Sequence, residues 1–138
     1  MKKIILLAML LVPINTVFAC GNYPVTSVTK QDGSKYGLFI PQEKMEKTQK
    51  WSPEDGEPQL PITQAYSLAK AWAATKYTRY DSVVIKEITL IQYGCSLVKN
   101  RWYYQVQITP VIDGNELWGG GNTTGVLMDG TIIGSVQY

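Results

Sequence analysis

The sequence predicts an α+β fold, in which one main amphipathic helix packs on an antiparallel sheet of about four strands behind an irregular N-terminal segment. Three patterns predict it: apolar residues at helical spacing after Thr63, strict alternation of apolar and polar residues from Trp102, and an Asp-Gly pair between apolar runs at 129–130. A helix laid across one face of such a sheet buries the apolar stripe of the helix together with the apolar face of the sheet.

The helix is predicted from the spacing of its apolar residues. After Thr63, apolar positions recur at i, i+3, i+4, i+7 and i+8, which places them on one face of a helix. The stripe consists of Ala65, Leu68, Ala69, Trp72 and Ala73. The alanines allow close approach to a sheet, and Trp72 supplies the large anchor. We expect the Thr63 side chain to cap the first turn and the helix to end between Tyr77 and Asp81.

The strands are predicted from β-branched residues and from alternation. Residues 82–93 form one strand, or two short strands broken near Lys86-Glu87. The next run alternates between two faces, which predicts one buried and one solvated face. The buried face carries Trp102, Tyr104, Val106 and Ile108, and the other carries Tyr103, Gln105, Gln107 and Thr109. Asp113-Gly114 is a turn, and Asp129-Gly130 closes a tight hairpin for which a type I′ turn is expected.

The first 19 residues have the composition of a secretory signal peptide. Lys2 and Lys3 precede an apolar run from Ile4 to Val12, and Val17-Phe18-Ala19 forms a small-residue cleavage site. The apolar run is too short to span a bilayer as a helix. We therefore expect a bacterial protein that is exported to the periplasm or secreted.

The remaining chain is long enough for one domain with one core. Removing the signal peptide, residues 1–19, from the 138 residues leaves 119. Within them, residues 20–61 form an irregular N-terminal segment and linker, with a candidate hairpin around Asp32-Gly33 and a short polar helix within 42–50. Residues 62–138 form the α+β domain.

The predicted mature chain has no net charge. The full sequence has 13 basic and 11 acidic residues, and loss of Lys2 and Lys3 with the signal peptide leaves 11 of each. Basic and acidic residues interleave in the N-terminal half, as is typical of a solvated surface. The charge pattern therefore gives no indication of nucleic acid as a partner.

Cys20 and Cys95 admit two interpretations that exclude each other. In an oxidising compartment an even count of cysteines suggests a disulfide, which would close about 75 residues and add roughly 4 kcal/mol on the chain-entropy model. Alternatively, Cys20 is lipidated as the first residue after the signal peptide, and the protein is an outer-membrane lipoprotein with Cys95 as a lone thiol. Val17 and Ala19 suit a lipobox or an ordinary signal peptidase, whereas Phe18 is bulky for a lipobox. A membrane is an expected partner only in the lipidated form.

The composition of the whole chain argues against several chemistries. It contains no histidine, which excludes Ser-His-Asp and Cys-His machinery and removes the commonest metal ligand. The carboxylates Glu54, Asp55 and Glu57 lie between prolines and a glycine, which is typical of a solvated linker and not of an acid–base pair. We therefore expect no enzyme activity, no cofactor and no metal.

Tyrosine and tryptophan are the distinctive residues of the mature chain, and both are enriched at binding surfaces. Aromatic, amide and glycine positions form the candidate partner contact on the solvated sheet face and a nearby loop. They are Tyr103, Gln105, Gln107, Trp118, Gly119, Gly120 and Gly121. The alternative is that residues 22–60, which carry Val25, Leu38, Phe39 and Ile40, fold over this face and hide it.

Residues 62–138 resemble the PepSY family and PepSY-like periplasmic proteins. The matching parts are the Ile62-Thr63-x-Ala65 opening of the helix, the Trp102–Val106 strand and the closing hairpin from Val126 to Ile133. Tyr66 stands where the family opening has alanine, and the final turn is shorter here. The resemblance implies an exported, non-enzymatic module of a kind often suggested to inhibit or regulate peptidases.

A second resemblance is to nuclear-transport-factor-like immunity proteins. The shared parts are an alanine-bearing helix, a Trp-containing strand, a Gly119-Gly120 segment and an Asp129-Gly130-Thr131-Ile132 hairpin. This resemblance implies neutralisation of a toxin by binding. Both resemblances concern the fold, and both imply binding of another envelope or secreted protein without catalysis. A structural envelope lipoprotein is the rival class.

The signal peptide generates the first prediction. Protein purified from its native host should have an intact mass that lacks residues 1–19, because signal peptidase cleaves after the small residue Ala19. A mature mass that includes these residues would contradict export. An added mass of acyl chains on Cys20 would select the lipoprotein.

Overall fold

The computed structural model describes residues 20–117 and 122–138, and it confirms the α+β class. A long helix packs on an antiparallel sheet of five strands. The elements are α2 (Ile62–Lys76), β3 (Ser82–Gln92), β4 (Trp102–Ile112), β5 (Asn115–Glu116), β6 (Thr123–Leu127) and β7 (Ile132–Gly134). The strand order is β3-β4-β6-β7, with the short β5 paired to β4. Within the described residues, neither helix has the length and apolar character needed to cross a membrane.

The predicted cap of α2 is wrong, because the helix begins before Thr63. The extended backbone of Pro61 places its carbonyl at the helix entry, where it accepts from the N–H groups of Gln64 and Ala65, both at 3.0 Å. Thr63 is therefore already the second helical residue, and Pro61 at the cap position makes no side-chain hydrogen bond. The helix ends at Lys76, one residue before the predicted range, and the Tyr77 N–H donates to the Ala73 carbonyl.

The first core lies between α2 and the facing side of the sheet. Its fully buried members are Leu60, Ala65, Ala69, Ala73, Tyr104, Val106, Ile108, Val126 and Met128. Trp72 from the helix and Trp102 from β4 pack against this core and are both mostly buried, as predicted. The Trp72 ring lies over Gly134, where an added Cβ would be 2.8 Å from the ring.

The interruption predicted within residues 82–93 is a β-bulge in one continuous strand. The register of β3 against β4 shifts between Ile85 and Glu87, so Lys86 is the extra residue. The bulge lets Ile85 and Ile88 both pack against the first core, although their sequence separation would place them on opposite faces of a regular strand. The ammonium of Lys86 pairs with the carboxylate of Glu116 at 2.5 Å.

The two Asp-Gly turns differ, and the type I′ geometry occurs at the one that was not expected to have it. Asp113 and Gly114 both have positive φ, at 49° and 73°, and link β4 to β5 through a two-residue turn. In the closing hairpin only Gly130 has positive φ, at 86°, and the Leu127 N–H donates to the Thr131 carbonyl across a three-residue loop. The type I′ prediction there is wrong, because Met128 is buried in the first core and occupies the first loop position.

The N-terminal segment forms a second, smaller sheet. Its elements are β1 (Thr26–Thr29), β2 (Lys35–Leu38), α1 (Gln42–Glu46) and a 3₁₀ turn at Pro53–Asp55, and β2 pairs with the C-terminal β8 (Val136–Gln137). This sheet lies against the side of the main sheet opposite to α2. The second core between them consists of Leu38, Ile40, Met45, Tyr93, Cys95, Val98, Tyr103 and Leu127.

The contact between Trp72 and Gly134 generates the second prediction. Gly134→Ala should lower the free energy of unfolding by about 1–3 kcal/mol, because its Cβ overlaps the six-membered ring of Trp72. Denaturant unfolding measures the loss. The matched control is Gly94→Ala, where a Cβ meets nothing within 4 Å and the change should stay within about 0.5 kcal/mol. In a Trp72→Phe background, Gly134→Ala should lower the free energy of unfolding by a smaller amount. An equal loss in both backgrounds would contradict the overlap with the Trp72 ring.

Candidate functional site

A disulfide joins Cys20 to Cys95 and confirms that prediction. The two Cα atoms are 5.9 Å apart, although 75 residues separate them in sequence. Cys95 is only 5% exposed and belongs to the second core, and Cys20 packs against the same core. The bond ties the start of the described chain to the loop after β3, and it occupies the Cys20 sulfur that lipidation would require.

Polar side chains of the main sheet hold the N-terminal segment in place as well. The Tyr93 hydroxyl donates to the Ile40 carbonyl at 2.9 Å. Arg101 donates from Nε to the Met45 carbonyl at 3.1 Å and from Nη2 to the Glu46 carbonyl at 3.3 Å. These bonds satisfy backbone acceptors of the segment beside the second core, so the segment is anchored by hydrogen bonds as well as by the disulfide.

Tyr103 is not available to a partner, and its predicted exposure is wrong. The side chain is 2% exposed and lies in the second core with Leu38 and Ile40. Burial, with a further contribution from Tyr93, raises the pKa of the Tyr103 phenol to about 12. The alternative that residues 22–60 cover this face is therefore correct at Tyr103. The signal was present in the sequence as the apolar run Leu38-Phe39-Ile40 in an otherwise polar segment.

The remaining predicted contacts on this face are less covered. Gln105 is half-buried between Thr89 of β3 and Gly125 of β6, where the side chains of Leu38 and Ile40 approach the missing Cβ of the glycine. Gln107 is exposed beside Glu87 and Thr123, whereas Thr109, the next residue on the same face, is buried, so the solvent-exposed part of this face is centred on Gln107.

Trp118, Gly119, Gly120 and Gly121 lie outside the described residues. The residues that flank them are placed: the Leu117 N–H donates to the Pro110 carbonyl at 2.8 Å, and the Ile108 N–H donates to the Asn122 carbonyl at 2.8 Å. Both flanking residues thus contact β4. The four positions stay candidates from the sequence alone.

An apolar patch that sequence reasoning missed lies on the outer face of the three-stranded sheet. Gly37 of β2 has no side chain, and an added Cβ would be within 3.0 Å of Pro24, Phe39 and Tyr138. Val136, directly opposite Gly37 on β8, shares this face. We call Pro24, Phe39, Val136 and Tyr138 the outer patch. Val136 is 52% exposed and Tyr138 is 56% exposed, so the patch faces solvent.

The rings of the outer patch are held in a defined arrangement. Phe39 and Tyr138 meet edge to face, with centroids 5.2 Å apart and planes at 85°. The Tyr138 N–H donates to the Lys35 carbonyl at 3.0 Å, which continues the β2–β8 ladder to that residue. Only tertiary pairing of β8 with β2 creates this patch, since Phe39 and Tyr138 are about a hundred residues apart in sequence.

The disulfide generates the third prediction. The double variant Cys20→Ser/Cys95→Ser should lose about 4 kcal/mol of unfolding free energy, because the unfolded chain regains the freedom of a loop of 75 residues. Denaturant unfolding of the mature protein measures it. Addition of a reductant should move the unfolding curve of the wild type onto that of the double variant. It should leave the unfolding curve of the variant unchanged. Coincident curves for the oxidised wild type and the variant would contradict a stabilising bond.

Comparisons of this chain with protein-family models, with curated proteins and with solved structures found no match. The resemblances to PepSY and to nuclear-transport-factor-like proteins therefore stand on the residues quoted for them. Function has to be argued from the disulfide, the exposed surfaces and the chemistry of this chain.

Proposed function

We propose that this protein is an exported module that binds another envelope or secreted protein and acts as an inhibitor or regulator of an envelope enzyme. The observation that carries the proposal is the outer patch, a preorganised aromatic and aliphatic surface that faces solvent. Aromatic side chains such as those of Phe39 and Tyr138 are enriched at protein interfaces relative to the rest of the protein surface. The absence of histidine from the entire chain favours binding over catalysis.

The compartment is supported by two independent features. Disulfides persist in oxidising compartments outside the cytosol, and this chain has both of its cysteines in one bond. The N-terminal residues 1–19 have the sequence pattern of a signal peptide. A disulfide at Cys20 also favours the unlipidated form over an outer-membrane lipoprotein, because the thioether would need the same sulfur.

The rigidity of the outer patch makes it suited to recognition. Tyrosine contributes a large contact area with few rotatable bonds, and the edge-to-face contact between Phe39 and Tyr138 restrains both rings before binding. Because Gly37 lacks a side chain, the rings of Phe39 and Tyr138 close over the backbone. A partner that covers the patch would gain apolar burial at a small cost in side-chain entropy.

The size of the patch limits what it can do alone. The three strands are four, four and two residues long, and at about 3.3 Å per residue and a spacing of about 4.8 Å they cover roughly 160 Å². A stable interface buries about 800 Å² on each partner. The outer patch is therefore the centre of a contact whose rim comes from neighbouring residues, and it is too small to hold two copies of the chain together by itself.

A second candidate surface is the exposed part of the main sheet around Gln107 of β4, on the face opposite to α2. The observation that favours it is the exposure of Gln107 next to Glu87 and Thr123, which offers amide, carboxylate and hydroxyl groups to a polar partner. Gln105 and the segment Trp118 to Gly121 belong to the same proposal. A toxin bound by an immunity protein would be an equally suitable occupant of either surface, whereas a structural lipoprotein would need neither.

Site-specific photo-cross-linking in the native host tests the proposal. A photoreactive phenylalanine placed at Tyr138 should cross-link to one envelope protein, because the outer patch is at the interface. The matched control is the same residue at Tyr66, which is 41% exposed on α2 and far from the patch in the fold. Equal cross-linking from both positions, or none from Tyr138, would contradict the proposal. Cross-linking only from a photoreactive residue at Gln107 would show that the partner contacts the second surface instead.

The identified partner then allows a measurement of affinity. Tyr138→Ala should weaken binding at least about tenfold, as truncation of a central aromatic contact usually does. Tyr66→Ala should leave the affinity unchanged. Both variants should remain folded, since neither side chain belongs to a buried core.

A further inference from the structure

The backbone nitrogen of Cys20 is held in a defined position at the surface. The disulfide fixes the side chain of Cys20, and the N–H of the same residue donates to Gln42 Oε1 at 3.0 Å. Gly21 has a φ of 110° and sits so close to the backbone that an added Cβ would be 2.8 Å from the Ile40 oxygen. Any other residue after Cys20 would therefore be strained in this backbone conformation and would overlap the Ile40 carbonyl.

Cys20 lines an open cleft that also has two glutamates in its lining. Its volume is about 480 Å³, and its lining includes Cys20, Gln42, Glu43 and Glu46. Gln42 is oriented by Glu46, because its Nε2 donates to Glu46 Oε1 at 2.7 Å and leaves Oε1 of Gln42 facing Cys20. Gln42, Glu43 and Glu46 all belong to α1, so this helix contributes the acceptor for the nitrogen and both glutamates of the lining.

Hydrolysis of the peptide bond between Ala19 and Cys20 would change the chemistry of this nitrogen. Water adds across the bond, the carboxylate leaves with Ala19, and the amide nitrogen of Cys20 becomes a primary amine that takes up a proton at neutral pH. The amide has one hydrogen to donate and no charge, whereas the ammonium has three hydrogens and a positive charge. Gln42, Glu43 and Glu46 match the second species better than the first.

We propose that this cleft is a binding site for the chain's own α-ammonium group, which only cleavage before Cys20 creates. The inference rests on the proposed export and signal-peptide removal, and it adds that processing completes the fold. The Gln42 carbonyl oxygen accepts directly from the ammonium, and the carboxylates of Glu43 and Glu46 supply the opposite charge.

Within the described residues, neither Glu43 nor Glu46 forms an ion pair, although Glu46 lines a neighbouring pocket together with Lys50 and Arg101. Arg101 directs Nε and Nη2 to the backbone carbonyls of Met45 and Glu46, with no bond to the Glu46 carboxylate. Burial and the nearby Glu46 charge raise the pKa of the Tyr93 phenol, so this neighbour stays neutral near pH 8. Lys44 lies on α1 and Lys47 follows it directly. Both are exposed, and their positive charges repel the ammonium.

The sign of the pH dependence follows from linkage. An unperturbed α-amine has a pKa of about 7.7–8.0, and stabilisation of its charged form in the cleft raises that value in the folded state. The ammonium therefore contributes its full stabilisation below about pH 7.7, and the contribution is lost as the pH rises through the folded-state pKa.

Amine labelling of the mature, oxidised protein at a series of pH values tests the site. The labelled fraction of the N-terminal peptide, read by mass spectrometry after reduction, should show a midpoint at least about half a unit above that of the same chain unfolded and reduced, which is about threefold slower labelling near pH 7.5. Glu43→Gln and Glu46→Gln should each lower the midpoint. Glu54→Gln, an exposed acid in the 3₁₀ turn, is the matched control and should leave it unchanged.

Each outcome decides one question. A mature mass that begins at Cys20 with an unshifted labelling midpoint overturns the ammonium site and leaves export intact. A mass that retains residues 1–19, or an acylated Cys20 nitrogen, overturns both. A mutant chain that keeps Ala19 after export should also melt at a lower temperature than the chain beginning at Cys20 at pH 6, with the difference shrinking toward pH 10, and equal melting at pH 6 would overturn the proposal.

Discussion

The packing of the N-terminal segment on the second face of β4 is the constraint on which the rest of the structure depends. Tyr103 is buried with Leu38 and Ile40 in the second core, so both faces of the central strand β4 are packed against other elements. The Cys20–Cys95 bond, the Arg101 hydrogen bonds to α1 and the β2–β8 pairing all hold the same segment on that face. Because these contacts join residues far apart in sequence, the small sheet and the main sheet support each other.

This packing also redistributes the surfaces that are available for recognition. It removes Tyr103 from the sheet face predicted to bind and leaves Gln107 exposed on that face. At the same time it creates an outer face on the small sheet, where Phe39 and Tyr138 meet over Gly37. The sequence pointed to a tyrosine as a partner contact, but Tyr103 is buried, and the exposed tyrosine of the outer patch is Tyr138.

The same segment explains why the disulfide and the N-terminal site belong together. The bond draws Cys20 down onto the second core, and this places its nitrogen beside Gln42 at the start of α1. Without the bond, the nitrogen would be held only by one hydrogen bond and the fit of Gly21. A single covalent contact therefore joins the N-terminal segment to the main sheet and positions the nitrogen that we propose becomes charged on processing.

The sequence by itself determined the elements whose signals are local. Helical spacing located α2, alternation located β4, and the compositional break near Lys86 marked a real bulge, since each depends on residues a few positions apart. Tertiary structure alone decided which face of β4 is solvated, which Asp-Gly turn is type I′ and where an aromatic patch forms. Those outcomes depend on whether distant segments such as residues 36–40 and 136–138 pack together. A short stretch of sequence carries no information about the free energy gained when distant segments bury each other.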